Sequence, residues 1–441
     1  MKIQITDGKV LLPGGLKNCT VEIENNRISA IGNNLNSGNS TVKISAKGKY
    51  ILPGFIDLHT NGIAGFDLTN GVYDYQKHTF SFNRDIYLKG LDKALKLYAK
   101  HGTTMVGFTT FEASINKLKK IFKSIAKYKN ESESIYKNVF YGIFIEGTFI
   151  KDKKYCGAHD PKYFFKPSIP LFDELQEAAD GNIKIVNVVP EWGEDALRLI
   201  EYLTSKKIIC AAGHTNSNGE QYRMAIKKGL KLAIHALNGP ASSSFKPFNK
   251  GGALQAFLHS DDVYVEIITD GYHVDKAYIL DLIKRKGVDK CAVITDSMFL
   301  TRMKKINEFK ISGVKGKLSD NGEYLQLVGK EAMHSLFGSL LTMDKAFANL
   351  LSWMTRPTEG IWNRMHEPVE FEQALKYVSQ MCSGNPARIL GIYNSKGSDK
   401  NLGTGSIEIN KLADIVIADI AETKEGYKLV VEDVIMNGKM I

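Results

Sequence analysis

Through the middle of this 441-residue chain, short apolar runs rich in β-branched residues alternate with longer stretches whose apolar positions recur at helical spacing. The runs fall at residues 51–58, 103–110, 139–146, 183–190, 207–214, 230–235, 263–270 and 290–296. Amphipathic stretches such as 85–101, 114–128, 194–205, 220–228 and 275–286 lie between them. Near-continuous apolar strands alternating with helices predict a parallel sheet covered on both faces. Eight such units predict an α/β fold of the (β/α)8 TIM-like barrel type rather than an open doubly wound sheet. No GxGxxG follows any of the runs, which argues against a dinucleotide-binding sheet.

The two ends read differently. Residues 1–50 carry four short apolar runs separated by Gly and Asn turn signals, and residues 405–419 and 428–441 repeat that texture. Both ends are therefore expected to meet in one small β-domain. The predicted division is 1–50 and 396–441 for the small domain and 51–395 for the barrel. Two additions to the barrel are expected: a hairpin around 309–328 turning at 320–322, and a helical tail over 330–392.

Composition narrows the classes. Five cysteines (Cys19, Cys156, Cys210, Cys291 and Cys382) form no CxxC pair and are odd in number, which excludes a disulfide framework and a cysteine zinc knuckle and implies a reducing compartment. The opening residues lack an apolar signal region, and no run approaches the ~18 residues of a membrane span, so a cytoplasmic protein without membrane contact is expected. The formal charge of +10 suits an anionic ligand. Its lysines are dispersed, and the cluster at 117–129 sits at helical spacing, so a solvated helix face is expected there rather than a nucleic-acid surface.

Chemistry concentrates where the apolar runs end. The first stops at His59 with Asn61 following, and others stop at Glu146, His214, His235 and Asp296. Side chains leaving barrel strands at their C-terminal ends enter the active site. Two imidazoles and a carboxylate make a catalytic divalent-metal set with a position left open for water; zinc suits it first, with iron, cobalt or manganese as alternatives. Asp296, in the sequence ITDSM, is the natural acid/base to move a proton at that water. His159 in GAHD and His273 in TDGYHV lie just beyond strand ends and are candidate substrate contacts. His78, His101, His259, His334 and His366 receive no role.

Taken in order, PGFIDLHTNG from Pro53, EGTFI from Glu146, GAHD from Gly157, GHTN from Gly213, HALNGP from His235, TDGYHV from Thr269, ITDSM from Ile294, GSLLTMDKAFANL from Gly338, NPARILG from Asn385 and GSIEINKLADIVIAD from Gly405 cover nearly the whole chain. In that order and spacing they resemble the N-acetylglucosamine-6-phosphate deacetylases of the amidohydrolase superfamily. The resemblance implies a barrel with a small β-sandwich built from both termini, and hydrolysis of the acetamide of an amino-sugar phosphate to acetate and a free amine. It implies one divalent metal per chain, held at Glu146, His214 and His235, with Asp296 as acid/base. Members with a second metal carry an HxH pair on strand one, where this chain has His59 and Asn61; a single tightly held metal is expected, with His59 orienting water or weakly binding a second ion. Ala158, His159, Asn238, Gly239, His273, Leu336 and Gly338 correspond to substrate contacts. Lys246 stands where many members place a phosphate-binding arginine supplied across a dimer interface, so a homodimer is expected. Thr148 replaces the usual proline of EGPF, and Gly239-Pro240 replaces Ala-Met of FNAM. Two alternatives remain: deacetylation of another N-acetylamino sugar, such as N-acetylgalactosamine 6-phosphate, and a catalytically inactive scaffold.

Overall fold

The structure, a computed structural model, describes residues 2–33, 35, 41–238, 241–303, 306–311, 313–329, 335–394 and 403–441. Eight parallel strands form its centre: β1 (Phe55–Thr60), β2 (Thr103–Thr110), β3 (Phe140–Ile145), β4 (Ile183–Asn187), β5 (Ile209–Ala212), β6 (Leu230–Ala233), β7 (Tyr264–Ile268) and β8 (Cys291–Ile294). Each pairs with its successor in chain order. One helix follows each strand: α1 (Arg84–Lys100), α2 (Ile115–Glu131), α3 (Ile169–Ala178), α4 (Glu194–Ser205), α5 (Gly219–Lys227), α6 (Ala253–His259), α7 (Lys276–Lys286) and α8 (Met343–Met354). This is the expected (β/α)8 barrel. Among the described residues no helix is long and apolar enough to cross a membrane.

Local chemistry explains the helices. In α2 the buried positions Leu118, Ile121, Phe122 and Ile125 repeat at three- and four-residue steps and face the sheet. Asn83 caps α1 by accepting from Asp85 N at 3.0 Å, and Asn218 and Gln221 form a reciprocal capping box at the start of α5.

Strands β8 and β1 share no regular ladder. They meet through single bonds and a buried side chain: Asp296 N donates to His59 O at 2.8 Å, while the Asp57 carboxyl takes Thr295 Oγ1 at 2.6 Å and Thr295 N at 3.2 Å. Burial pushes the Asp57 carboxyl up to about 7 despite the hydrogen bonds from Thr295.

The apolar run 51–58 is not one strand. Tyr50–Pro53 belongs to a six-stranded sheet of the small domain, pairing antiparallel with Ile415–Thr423, and the barrel begins only at Phe55. Gly54 makes the switch. Its N–H goes to Asp414 O at 2.8 Å, and an added Cβ would lie 2.3 Å from Thr104 Oγ1, so the chain turns where only glycine fits. The six-stranded sheet faces a four-stranded one made from Lys2–Thr6, Thr20–Glu24, Arg27–Gly32 and Thr41–Ser45. Ile3, Ile5, Val21 and Ile23 pack there with Ile51, Ile415, Ile417 and Ile435, closing the sandwich from both ends of the chain. The expected boundary at 395/396 lies outside the described residues.

Two expectations are corrected. The hairpin at 309–328 is a three-stranded antiparallel sheet (Glu308–Ile311, Val314–Leu318, Leu325–Leu327), although its second turn does contain residues 320–322. Residues 330–392 are not helical throughout. Residues 330–334 lie outside the described set, and Ser339 is held extended beside the end of β8 by bonds to Asp296 O (2.8 Å) and from Met298 N (3.0 Å). Helix begins only after Thr342, and Pro357, Gly360 and Pro368 interrupt it before Phe371–Ser379.

Candidate active site

Histidines from three strand ends and from the loop after β3 converge on Glu146. Its Oε1 lies 3.1 Å from His235 Nε2 and 3.4 Å from His214 Nε2; its Oε2 lies 3.4 Å from His59 Nε2 and 3.5 Å from His159 Nε2. All are buried. Asn187, at the end of β4, fixes two of these strand ends by donating to Glu146 O at 3.0 Å and accepting from Gly213 N at 3.2 Å.

His214 (φ 53°), His235 (φ 25°) and Asp296 (φ 48°) occupy the left-handed region directly after their strands. That conformation is costly for a histidine, and such strain concentrates at functional sites. It turns three polar side chains inward from strands that are otherwise apolar.

The donor set of Glu146, His214 and His235 fits a divalent cation. Their ligand atoms lie within 4.8 Å of one another. His214 Nδ1 faces the Tyr155 carbonyl at 3.0 Å, so Nδ1 carries the proton and the Nε2 lone pair points at Glu146 Oε1. Two acceptors aimed at each other call for a cation between them. Burial holds His214 down to about 4, which keeps it the neutral base a metal requires. Burial opposes ionisation of Glu146, but the neighbouring His59 and His159 hold it well below the usual carboxylate range.

Asp296 lines one cavity with Glu146, His214 and His235. Its Oδ1 accepts from Asn61 Nδ2 at 2.8 Å and lies 3.6 Å from His59 Nε2. Burial raises its pKa even though His59, His235 and His273 favour the anion. A cavity of about 150 Å³ opens between these groups, lined also by Ala158, His159, Asn238, Leu336 and Gly338. Phe111, Met298, Leu327 and Phe337 form its apolar wall, and the aromatic cluster under the three-stranded sheet covers it.

Two expected contacts lie elsewhere, and a third is not among the described residues. His273 is buried at the barrel rim with Nδ1 on Asp270 Oδ2 at 2.6 Å, and it does not line the cavity. Lys246 is exposed on the loop after β6, between exposed Phe245 and Phe248, and does not line the cavity either. Gly239 lies outside the described residues.

Two fully buried carboxylates were not singled out from the sequence. Glu266, on β7, meets His59 Nδ1 at 3.0 Å and accepts from His235 N at 3.2 Å. Glu112, just after β2, meets His159 Nδ1 at 2.5 Å and accepts from Asp160 N at 2.9 Å.

Residues 50–441 match the model of the amidohydrolase family. The chain belongs to that family. The N-acetylglucosamine-6-phosphate deacetylase of Bacillus subtilis is 27% identical over 411 residues, covering 91% of this amidohydrolase and 89% of the relative. Among solved structures, the N-acetylglucosamine-6-phosphate deacetylase of Pasteurella multocida matches with a TM-score of 0.78 at 24% identity, covering 100% of both chains. A Mycobacterium smegmatis deacetylase mutant in complex with N-acetyl-D-glucosamine-6-phosphate matches with a TM-score of 0.76 at 22% identity, covering 100% of this chain and 98% of that one. These likenesses bear out the resemblance seen in the sequence, and the solved structures bear out the barrel with its β-sandwich.

Proposed function

We propose that this amidohydrolase hydrolyses the acetamide of N-acetylglucosamine 6-phosphate to glucosamine 6-phosphate and acetate. The observation that carries the proposal is that Asp296 and the Glu146–His214–His235 set line one small cavity together. The names of the relatives supply the substrate.

Glu146, His214 and His235 would hold one divalent ion, zinc foremost. When bound, such an ion supplies Lewis-acid polarisation of the amide carbonyl and lowers the pKa of water. Asp296 takes the proton of the attacking water, and its burial-raised pKa suits it to pass that proton to the leaving nitrogen. Asn61 holds Oδ1 of Asp296, which leaves Oδ2 free for the transfer. His159 lines the cavity, and with Nδ1 held by Glu112 its Nε2 is left to donate to the acetamide oxygen as negative charge develops. Phe111, Phe337 and Leu327 exclude bulk water from the site and strengthen each of these interactions.

Asn238 lies in the cavity wall and is proposed to contact the substrate; the phosphate contact proposed for Gly239 rests on the family resemblance alone. The exposure of Lys246 is compatible with delivery to a second copy in a homodimer, where it would bind phosphate as a point charge.

The test is acetate release from N-acetylglucosamine 6-phosphate by metal-analysed protein, before and after chelation and with zinc restored. Turnover tracking about one metal per chain is expected. A filled site without turnover would refute the substrate, and faster release from N-acetylgalactosamine 6-phosphate would move the assignment to that sugar.

A further inference from the structure

We infer that Glu112 is a positioning residue for His159, fixing which ring nitrogen the active site presents. Its side chain is fully buried and makes two bonds: Oε2 to His159 Nδ1 at 2.5 Å and Oε1 to Asp160 N at 2.9 Å. One carboxylate thus clamps both the imidazole and the backbone that follows it. Burying a carboxylate is costly unless its oxygens are satisfied, and both are satisfied on the 159–160 segment.

With Nδ1 committed, Nε2 is the remaining polar atom of His159, and it points toward Glu146 Oε2 at 3.5 Å. The ring cannot turn without breaking the Glu112 bond. It is also boxed by His214, set edge-on at 88° with centroids 4.9 Å apart, and by Phe111 at 5.6 Å.

Gly147 gives independent support. A Cβ there would lie 2.8 Å from Glu112 N, 2.8 Å from His159 Nδ1 and 2.9 Å from Glu112 Oε2. The residue after the ligand Glu146 therefore leaves the space that the Glu112–His159 pair occupies. The arrangement also recurs across the site, where Glu266 holds His59 Nδ1 at 3.0 Å and turns His59 Nε2 toward the same Glu146 oxygen at 3.4 Å. Carboxylates behind metal-ligating imidazoles orient the ring, and their loss costs roughly 10–100-fold in metal affinity or activity; a loss of the same order is expected here.

The kinetic consequence rests on the deacetylase reading; the orientation itself does not. The experiment compares wild type, Glu112→Gln, Glu112→Ala, His159→Asn and the Glu112→Ala/His159→Asn double variant. Metal content and Tm are recorded beside kcat and KM for acetate release. Glu112→Ala is expected to lower kcat by roughly 10–100-fold with metal retained, and Glu112→Gln, which keeps an acceptor for Nδ1, to lie between it and wild type. In the His159→Asn background the Glu112→Ala change should cost less than about 2-fold, because it acts through His159. Losses that multiply would overturn the inference, as would a Glu112→Ala enzyme with wild-type kcat.

Imidazole ¹⁵N NMR, with His159 assigned from His159→Asn, gives a readout free of turnover. The hydrogen-bonded Nδ1–H signal should disappear in Glu112→Ala and persist in Glu112→Gln; an unchanged signal in Glu112→Ala refutes the positioning role. Wild-type protein that releases no acetate would refute the deacetylase reading, and the NMR comparison would still decide the role of Glu112.

Discussion

Asn at position 296 is a clean perturbation of the proposed proton transfer. It keeps the shape of the aspartate and retains an oxygen to accept from Asn61 Nδ2, now at 2.8 Å. Its backbone bonds, Asp296 N to His59 O and Ser339 N to Asp296 O, are each 2.8 Å and do not involve the side chain. Asparagine also tolerates the φ of 48° found there better than most residues. Because burial already disfavours the charge of Asp296, the neutral amide should leave Tm unchanged or slightly raised. The Glu146, His214 and His235 atoms are untouched, so metal content should stay at the wild-type value. What is lost is a general acid/base, typically 10²–10⁴-fold in rate or about 3–5 kcal/mol of barrier. Asp296→Asn should therefore show kcat lowered by about that factor with little change in KM, measured by acetate release on metal-analysed protein. A kcat within about 3-fold of wild type would refute the acid/base role. Loss of metal along with activity would instead make Asp296 a ligand.

Glu146→Gln should bind less than stoichiometric metal by elemental analysis. Added zinc should then no longer raise its Tm, whereas wild type gains about 2.7 kcal/mol at 100 times Kd. Gly54→Ala forces a Cβ to 2.3 Å from Thr104 Oγ1 and 2.5 Å from its Cγ2, both on a buried β-branched residue; it should cost about 1–3 kcal/mol in urea unfolding and be partly restored by Thr104→Ala. Asp57 is held protonated in the folded state up to about pH 7 but ionises near 3.8 when unfolded, so it makes stability fall as pH rises between those values. Asp57→Asn should remove that fall: the stability difference between wild type and variant should change by about 2–4 kcal/mol between pH 4 and pH 7.5, and a constant difference would refute the assignment.

The barrel was legible because its strands are buried on both faces and end abruptly in polar residues, so both ends of each strand leave a mark in the apolar pattern. His59, Glu146, His214, His235 and Asp296 stood out for that reason, and the structure brings all five together. The switch at Gly54 was not legible, because Tyr50–Pro53 and Phe55–Thr60 are both buried and a change of sheet leaves no trace in periodicity. Glu112 and Glu266 were hidden differently. Each lies in an apolar or loop context and gains its meaning only from a histidine 47 or 207 residues away. The segment before Met343 looked helical because backbone bonds from Ser339 to the end of β8, which hold it extended, are tertiary.

The seam between β8 and β1 has a consequence for how the enzyme comes into being. Asp57 and Thr295, which bond across it, are 238 positions apart in the chain. Glu146, His214 and His235 are all synthesised before β8, so the groups that fit a cation come off the ribosome before Asp296. Closing so long a loop is among the slow steps of folding. A chain caught before closure would carry those groups yet lack Asp296, the group proposed to move the proton. If Asp296 moves the proton as proposed, hydrolytic competence would arrive only with β8, the strand that completes the barrel.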